Sequence, residues 1–255
     1  MNPTLDTLKR LRTIHGDFSN QPISSQDMAT ILETATRAAN ASNRQSYSIV
    51  VVDDPEIMKE LTGYQGSRLL LFCVDFNRLA GTAARLGHEY PLRGVGPFLT
   101  GAVDTSLAAQ TASIAAASLG IDSLFTNGIH RGDVQRVYDL LKLPETYCFP
   151  LIALILGYAQ HEPKALRGRL TGPGVIHQGS YQAATDEEHQ AIIEAYDDPT
   201  TGLSPAAPWK EKGFNHFLDW FFEVWSNRAP SSTGRSQLCQ RLIDAGFLDD
   251  ECVDG

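Results

Sequence analysis

The chain predicts an α+β layered sandwich, in which helices alternate with strands but outnumber them. Apolar runs of strand length recur through the first two thirds, and amphipathic stretches at helical spacing stand between them. No segment repeats. With 255 residues, 42% of them hydrophobic and 20% charged, the chain can bury a sizeable core without disulfide or metal staples.

Leu5, Leu8 and Leu11 form one stripe over residues 3–13, with Lys9 and Arg10 pointing away, which predicts a short amphipathic helix. Ser24-Ser25-Gln26-Asp27 supplies cap chemistry for a second helix running to about Ala39, with Met28, Ile31, Leu32, Ala35 and Ala38 on its apolar stripe. The β-branched run SIVVVD at 48–53 closes on Asp53-Asp54-Pro55, a strand and turn, and a helix follows over 55–63. RLLLFCVDF at 68–76 predicts a buried strand. Residues 80–100 are rich in Gly and Pro and lack a period, so they are expected to form a mobile loop with little helix. AVDTSLAAQTASIAAASL at 102–119 predicts a helix of mostly Ala and Ser, ended by Gly120. Its small side chains let another backbone approach closely, so it packs against the sheet, a partner subunit or both; a plain core helix is the alternative.

Ser123–Thr126 is a short strand, Asn127-Gly128 a turn, 133–141 a helix stopped by Pro144, and Phe149–Gly157 a further strand. Beyond it the character changes. Pro163–Gly179 is a polar connector, 186–196 a short helix, and Pro199–Pro208 a linker. Lys212–Trp225 reads as an aromatic-heavy amphipathic helix, and Gln237–Ala245 as a final helix before Gly246 and a frayed acidic tail.

Charge and cysteine usage exclude several functions. Twenty-one Lys and Arg stand against 30 Asp and Glu, a net charge of −9, which disfavours nucleic acid or an anionic membrane as partner. The longest nearly apolar stretch, FPLIALILGY, has ten residues, half of the roughly 20 a spanning helix needs. The opening MNPTLDTLKRLRTIHGDF has no apolar leader, so a cytoplasmic location is expected. Cys73, Cys148, Cys239 and Cys252 are scattered, without a CxxC pair or a His at ligand spacing, which predicts reduced thiols and no metal site.

Four polar segments could carry chemistry. Arg12 and Thr13 pair a cation with a hydroxyl, which suits a phosphate as well as open solvent. Asn40-Ala41-Ser42-Asn43-Arg44-Gln45 has more hydrogen-bonding side chains than a turn requires, and amides match a heterocycle edge that both donates and accepts. Gln65 follows Gly63 at a helix end. Arg167 and Arg169 point the same way from an extended segment. Asn127-Gly128 adds a flexible strand end where backbone N–H groups can meet a ligand. Nucleophile elbows, dinucleotide-binding glycine motifs, P-loops and HExxH are all absent. The common thread is phosphate and heterocycle chemistry, hence a nucleotide-like cofactor.

RTIHGDFSNQPIS, LTGYQ, LFCVDFNR, GAVDTSLAAQTASIAAASLG, FTNGIHRGD, LKLPETYCFPLIALILGY, LRGRL and VIHQGSYQ follow one another over about residues 7–182. In content and order they resemble the nitroreductase-like FMN enzymes, within them the oxygen-insensitive NADPH nitroreductase and flavin reductase P subgroup. The resemblance implies a central, mainly antiparallel sheet flanked by helices, in an intertwined homodimer with FMN at the subunit interface. It implies an FMN-binding domain over 1–182 and a diverged C-terminal extension over 183–255, packed on the same domain or on the partner. By the same resemblance Arg12, Thr13, Arg167 and Arg169 meet the FMN phosphate side, and Asn40, Ser42 and Gln45 line the flavin. Gln65 reaches the pyrimidine edge, and Asn127 and Gly128 lie over the ring, with the Gly128 N–H near N5. FMN N5 itself carries the hydride, so no side chain is expected to be catalytic.

The chain departs from that pattern. Leu11 stands where the subgroup often has His, and His15 where it has Arg, so charge balance at the flavin N1–O2 edge becomes conditional on protonation. No Lys or Arg occurs from Leu170 through Trp209, where the subgroup recognises the NADPH 2′-phosphate, so NADH is as open as NADPH. The implied activity is hydride transfer from NAD(P)H through FMN to a small-molecule acceptor: a nitroaromatic, a quinone or a flavin. The alternatives are an FMN enzyme with one dedicated substrate, through reductive dehalogenation or flavin-consuming chemistry, and a flavin-binding protein without turnover.

Overall fold

The computed structural model describes residues 2–162, 166–172, 174–204, 208–226 and 237–249. Cys252, the acidic tail beyond Asp249 and parts of the two expected connectors (163–165, 173, 205–207) lie outside the described residues. The chain divides into two compact units, one of Met1–Glu162 with Gly234–Gly255 and one of Pro163–Thr233. The first unit includes the last helix.

In chain order the helices are α1 (Pro3–Arg10), α2 (Ser25–Ala35), α3 (Pro55–Thr62), α4 (Asn77–Arg85), α5 (Val95–Ser118) and α6 (Gln135–Leu141). They are followed by α7 (Asp186–Asp197) and α8 (Phe217–Trp220) in the second unit, and by α9 (Gln237–Asp244) in the first. Strands β1 (Tyr47–Val52), β2 (Arg68–Asp75), β3 (Asp122–Thr126) and β4 (Cys148–Gly157) form one sheet in the order β1-β2-β4-β3. Every pairing is antiparallel. No helix among the described residues is long and apolar enough to cross a membrane.

Both faces of the sheet are covered, which is why β2 and β4 are nearly continuous apolar runs. Leu70, Phe72, Leu154 and Leu156 face α2 and α5 through Ile31, Ala35, Ala108 and Ala112. On the other face Leu69, Leu71, Ala153 and Ile155 meet Met58 and Leu61 of α3 with Val137 and Tyr138 of α6. The small residues of α5 are its inner face, so the helix lies close on the sheet. Its outer face carries Val95, Leu99, Val103 and Leu107, 51%, 58%, 59% and 41% exposed, one i, i+4 ridge of large apolar side chains facing outward.

Three expectations need correction. Residues 80–100 are not one loop: α4 covers their start, with Leu79 and Ala80 against the cluster of Phe76, Leu92 and Phe247, and α5 begins at Val95. Pro97 is compatible with that start because a first-turn residue needs no intrahelical N–H bond. The helix expected over 3–13 stops at Arg10. The helix expected over 212–225 is confined to Phe217–Trp225, with a π-helical second half, because Gly213 at φ +81° breaks it.

The second unit is held by its own aromatic cluster: Trp209, Phe217 and Trp220 buried, with Tyr196 stacked on Phe217 at 5.9 Å. Asp197 joins the end of α7 to the start of α8, accepting from the Phe217 N–H at 2.8 Å and pairing with His216 at 2.6 Å. That bond raises the His216 pKa. In the first unit Arg241 ties α9 down, reaching Glu145 at 2.9 Å and lying over the Tyr138 ring at 4.9 Å. Cys73 and Cys148 are buried free thiols, the former pushed up by its bond to Cys148 and by burial; Cys239 is only half-buried.

Candidate functional site

After α1 the chain runs along the β3 edge and the end of β4. The Ile14 N–H donates to the Ser123 carbonyl at 3.1 Å, Ser19 N–H to Tyr158 at 2.8 Å, and Gln160 N–H back to Asp17 at 2.7 Å. Gly157 makes room for Phe18: a Cβ there would stand 2.8 Å from its ring. Arg12 fastens this segment, with Nε on Asp122 at 2.8 Å and Nη1 on Glu162 at 2.6 Å. The other Asp122 oxygen accepts the Ala159 N–H at 3.1 Å. The two carboxylates hold the guanidinium pKa above its ordinary value. An arginine expected on a phosphate is therefore engaged with acids of its own chain. The Thr13 and His15 side chains are exposed and have no hydrogen-bond partner among the described residues.

Residues 40–46 are built the opposite way. Ser42, Asn43 and Gln45 all have positive φ, at 54°, 54° and 52°. Non-glycine residues in that region cost on the order of 1–3 kcal/mol each, so the surroundings must enforce the shape. They do so through backbone groups. The Ala41 and Ser46 N–H groups donate to the two oxygens of Asp104 on α5, at 2.8 and 3.4 Å. The Gln45 N–H donates to Asn40 Oδ1 at 3.0 Å, and Arg78 donates to the Arg44 and Gln45 carbonyls at 2.9 and 2.7 Å. The side chains of Ser42 and Gln45 are left without partners among the described residues, as are the buried Ser46 and Tyr47 hydroxyls. Ala39, Asn40, Ala41 and Asp104 share a cavity of about 500 Å³ with Leu99 and Leu107 of the α5 ridge.

Gln65 follows α3, its amide donating to the Pro55 carbonyl at 3.1 Å and to Glu56 at 3.3 Å, which leaves its oxygen as acceptor. Tyr64 beside it touches the N-terminal segment, 3.0 Å from where a Gly16 Cβ would be. Gly128 is buried at the end of α3, where a Cβ would stand 2.5 Å from the Thr62 carbonyl. Its N–H, expected to face a flavin, donates to Thr126 Oγ1 at 3.0 Å. The adjoining Asn127 side chain is exposed. In the second unit Arg167 donates to the Ser204 carbonyl at 3.0 Å, and Arg169 to Gly168 and Arg167 carbonyls at 2.8 and 3.2 Å. Neither has an acidic partner among the described residues.

The first unit thus brings Arg12 and Thr13 to the start of β3, with His15 next along that segment and Gln65 beside the Tyr64 that meets Gly16; Asn127 and Gly128 follow the end of β3, where Gly128 meets Thr62 at the end of α3. It sets Asn40, Ser42 and Gln45 apart. The turn precedes Tyr47, which pairs with Val74 at the end of β2, whereas Gln65 precedes Arg68 at its start. Eight residues of strand, roughly 26 Å, separate the two groups. Asp104 and Arg78 were not legible as site residues. A signal for Asp104 did exist, since it is the lone charged residue of α5.

The nitroreductase family model matches residues 8–91. A Bacillus subtilis protein named FMN reductase, NAD(P)H, is 32% identical over 209 residues, 78% of this chain and 81% of that protein. The chain belongs to the nitroreductase family. An NADPH-dependent oxidoreductase of Staphylococcus epidermidis is 30% identical over 91% of this chain and 92% of its own. The fold agrees: a nitroreductase from Bacillus subtilis superposes with a TM-score of 0.80 at 26% identity, over 96% of this chain and 98% of that one. The layered α+β sandwich expected from the sequence is this family's fold.

Proposed function

We propose that this nitroreductase-family protein is an FMN-dependent oxidoreductase that uses NAD(P)H to reduce small electron-poor acceptors, nitroaromatics, quinones or free flavin. The observation that carries this reading is the strained turn at 40–46, which leaves the Ser42 hydroxyl and the Gln45 amide without partners among the described residues. Support comes from the Bacillus subtilis relative named as an FMN reductase, alike over four fifths of both chains. When bound, FMN supplies the redox chemistry, accepting a hydride and passing two electrons on.

The residues present fit such a group. In the second unit Arg167 and Arg169 meet only carbonyls among the described residues, so their charge is available to a phosphate; in the first unit the exposed Thr13 hydroxyl is a neutral donor. Ser42, Gln45 and the free Gln65 oxygen suit a pyrimidine edge that both donates and accepts. His15, exposed and without a partner among the described residues, would offer a ring N–H donor toward the flavin's N1–O2 side. Arg12 acts indirectly, by fixing the segment that carries Thr13 and His15.

The same reading requires a homodimer. A small cofactor does not bridge the length of β2, so a site using both groups of residues takes its turn from a second copy. The exposed ridge on α5 beside that turn suits the interface. Use of NAD(P)H as reductant fits a cytoplasmic enzyme.

Purified protein should be yellow or become so with FMN, and anaerobic NADH or NADPH, compared in parallel, should bleach it. Quinone or nitroaromatic should restore the colour. Protein that stays colourless with FMN sinks the reading. Bleaching without acceptor turnover points to a dedicated substrate. Arg169→Ala should weaken FMN retention by about 1.5–3 kcal/mol, the range for hydrogen bonds to charged groups; unchanged affinity removes Arg169 from the phosphate.

A further inference from the structure

We infer that Asp104 is the positioning residue of the flavin-facing turn: its carboxylate, reaching out of α5, clamps residues 41 and 46 together and so aims Ser42 and Gln45. The inference rests on the FMN reading above.

Asp104 is 1% exposed, and no cation pairs with it among the described residues. A carboxylate in that position is costly unless its oxygens are satisfied. Both are satisfied by one turn, through the N–H groups of Ala41 and Ser46. Those two amides bracket all three residues with positive φ. The molecule thus accepts a buried charge on α5 and strained backbone between residues 42 and 45, and each explains the other. The turn leads straight into the sheet: strand β1 starts at Tyr47, and the Ser46 carbonyl already accepts the Asp75 N–H of β2 at 3.1 Å. What the pair delivers is a fixed direction for side chains that have no partner of their own.

Arg78 completes the clamp from outside, holding the carbonyls of Arg44 and Gln45. Asp104 also lines a cavity with Leu99 and Leu107 of the exposed ridge, so the clamp adjoins the face proposed for the partner.

The test is Asp104→Asn, which keeps the volume but sets a carboxamide NH₂ against one of two N–H donors. We expect an unchanged far-ultraviolet spectrum and oligomeric state, at least tenfold weaker FMN binding, and an altered visible circular dichroism of the flavin that remains. Arg78→Ala, an exposed change, should weaken FMN at least threefold in the same way, and Arg78→Lys should recover only part. FMN affinity within twofold of wild type in Asp104→Asn, with the same flavin dichroism, overturns the inference. If Asp104→Asn does not fold, unchanged FMN affinity in Arg78→Ala overturns it. If the wild-type chain takes up no FMN, the functional reading fails, and the clamp is judged by hydrogen exchange of the Ala41 and Ser46 amides. Exchange that is slow in wild type and fast in Asp104→Asn, or in Arg78→Ala, supports the clamp; equal exchange overturns it.

Discussion

The two ends of the sheet handle polar residues in opposite ways. At the β3 end, the side chain of Arg12 is engaged with Asp122 and Glu162 and fastens the backbone. At the β1 end, the backbone of residues 41–46 is engaged with Asp104, Asn40 and Arg78, and side chains are left over. Both segments stand out as polar in the sequence. The difference teaches that a ligand-facing residue is recognised less by its chemical type than by what its neighbours leave unsatisfied.

Arg12→Ala gives the largest expected effect. Removing the partner of the mostly buried Asp122 should cost about 2–3 kcal/mol, lowering the melting temperature by roughly 5–10 °C in a calorimetric scan. FMN affinity of the folded fraction should stay within about threefold. A variant that keeps its melting temperature and loses FMN would erase the contrast. Gln45→Gly should do the reverse: relief of the positive φ stabilises by about 0.5–1 kcal/mol, while FMN binding falls about fivefold, the worth of one hydrogen bond. Both would be read on one sample, by melting and by flavin fluorescence. Glu162→Gln is the smallest. Glu162 is exposed, and its carboxyl is held below its ordinary value by the bond to Arg12. A depressed folded value means the contribution is complete above the ordinary value and fades as pH falls through the folded one. The variant should therefore melt slightly below wild type at neutral pH, and the difference should vanish as pH falls through the folded value.

Much of the scaffold was legible because strand and helix periods are strong where burial is deep. The runs Tyr47–Val52, Arg68–Asp75 and Cys148–Gly157 lie where apolar sequence predicts them. Helix α4 was missed because it is short and carries Gly81 in its middle, although Leu79 and Ala80 mark an inward face. The early start of α5 was masked by Gly96 and Pro97, which read as loop residues but are tolerated in a first turn. Polar segments were found by composition, yet composition could not tell Arg12, paired internally, from Arg167 and Arg169, which meet only carbonyls among the described residues. Asp104 lay hidden in an Ala/Ser-rich helix because its partners, the amides of Ala41 and Ser46, belong to the backbone and leave no trace in residue type.

The segment fastened by Arg12 also has a colloidal consequence. β3 is an outer strand of the sheet, and an uncovered outer strand offers unpaired N–H and C=O groups to any other chain. The bridge from Thr13 to Ser123, with Ile14 donating to the same carbonyl, closes the start of that row. Loosening residues 11–18 would open it, so the shelf life of concentrated protein depends on the ion pairs of a single arginine.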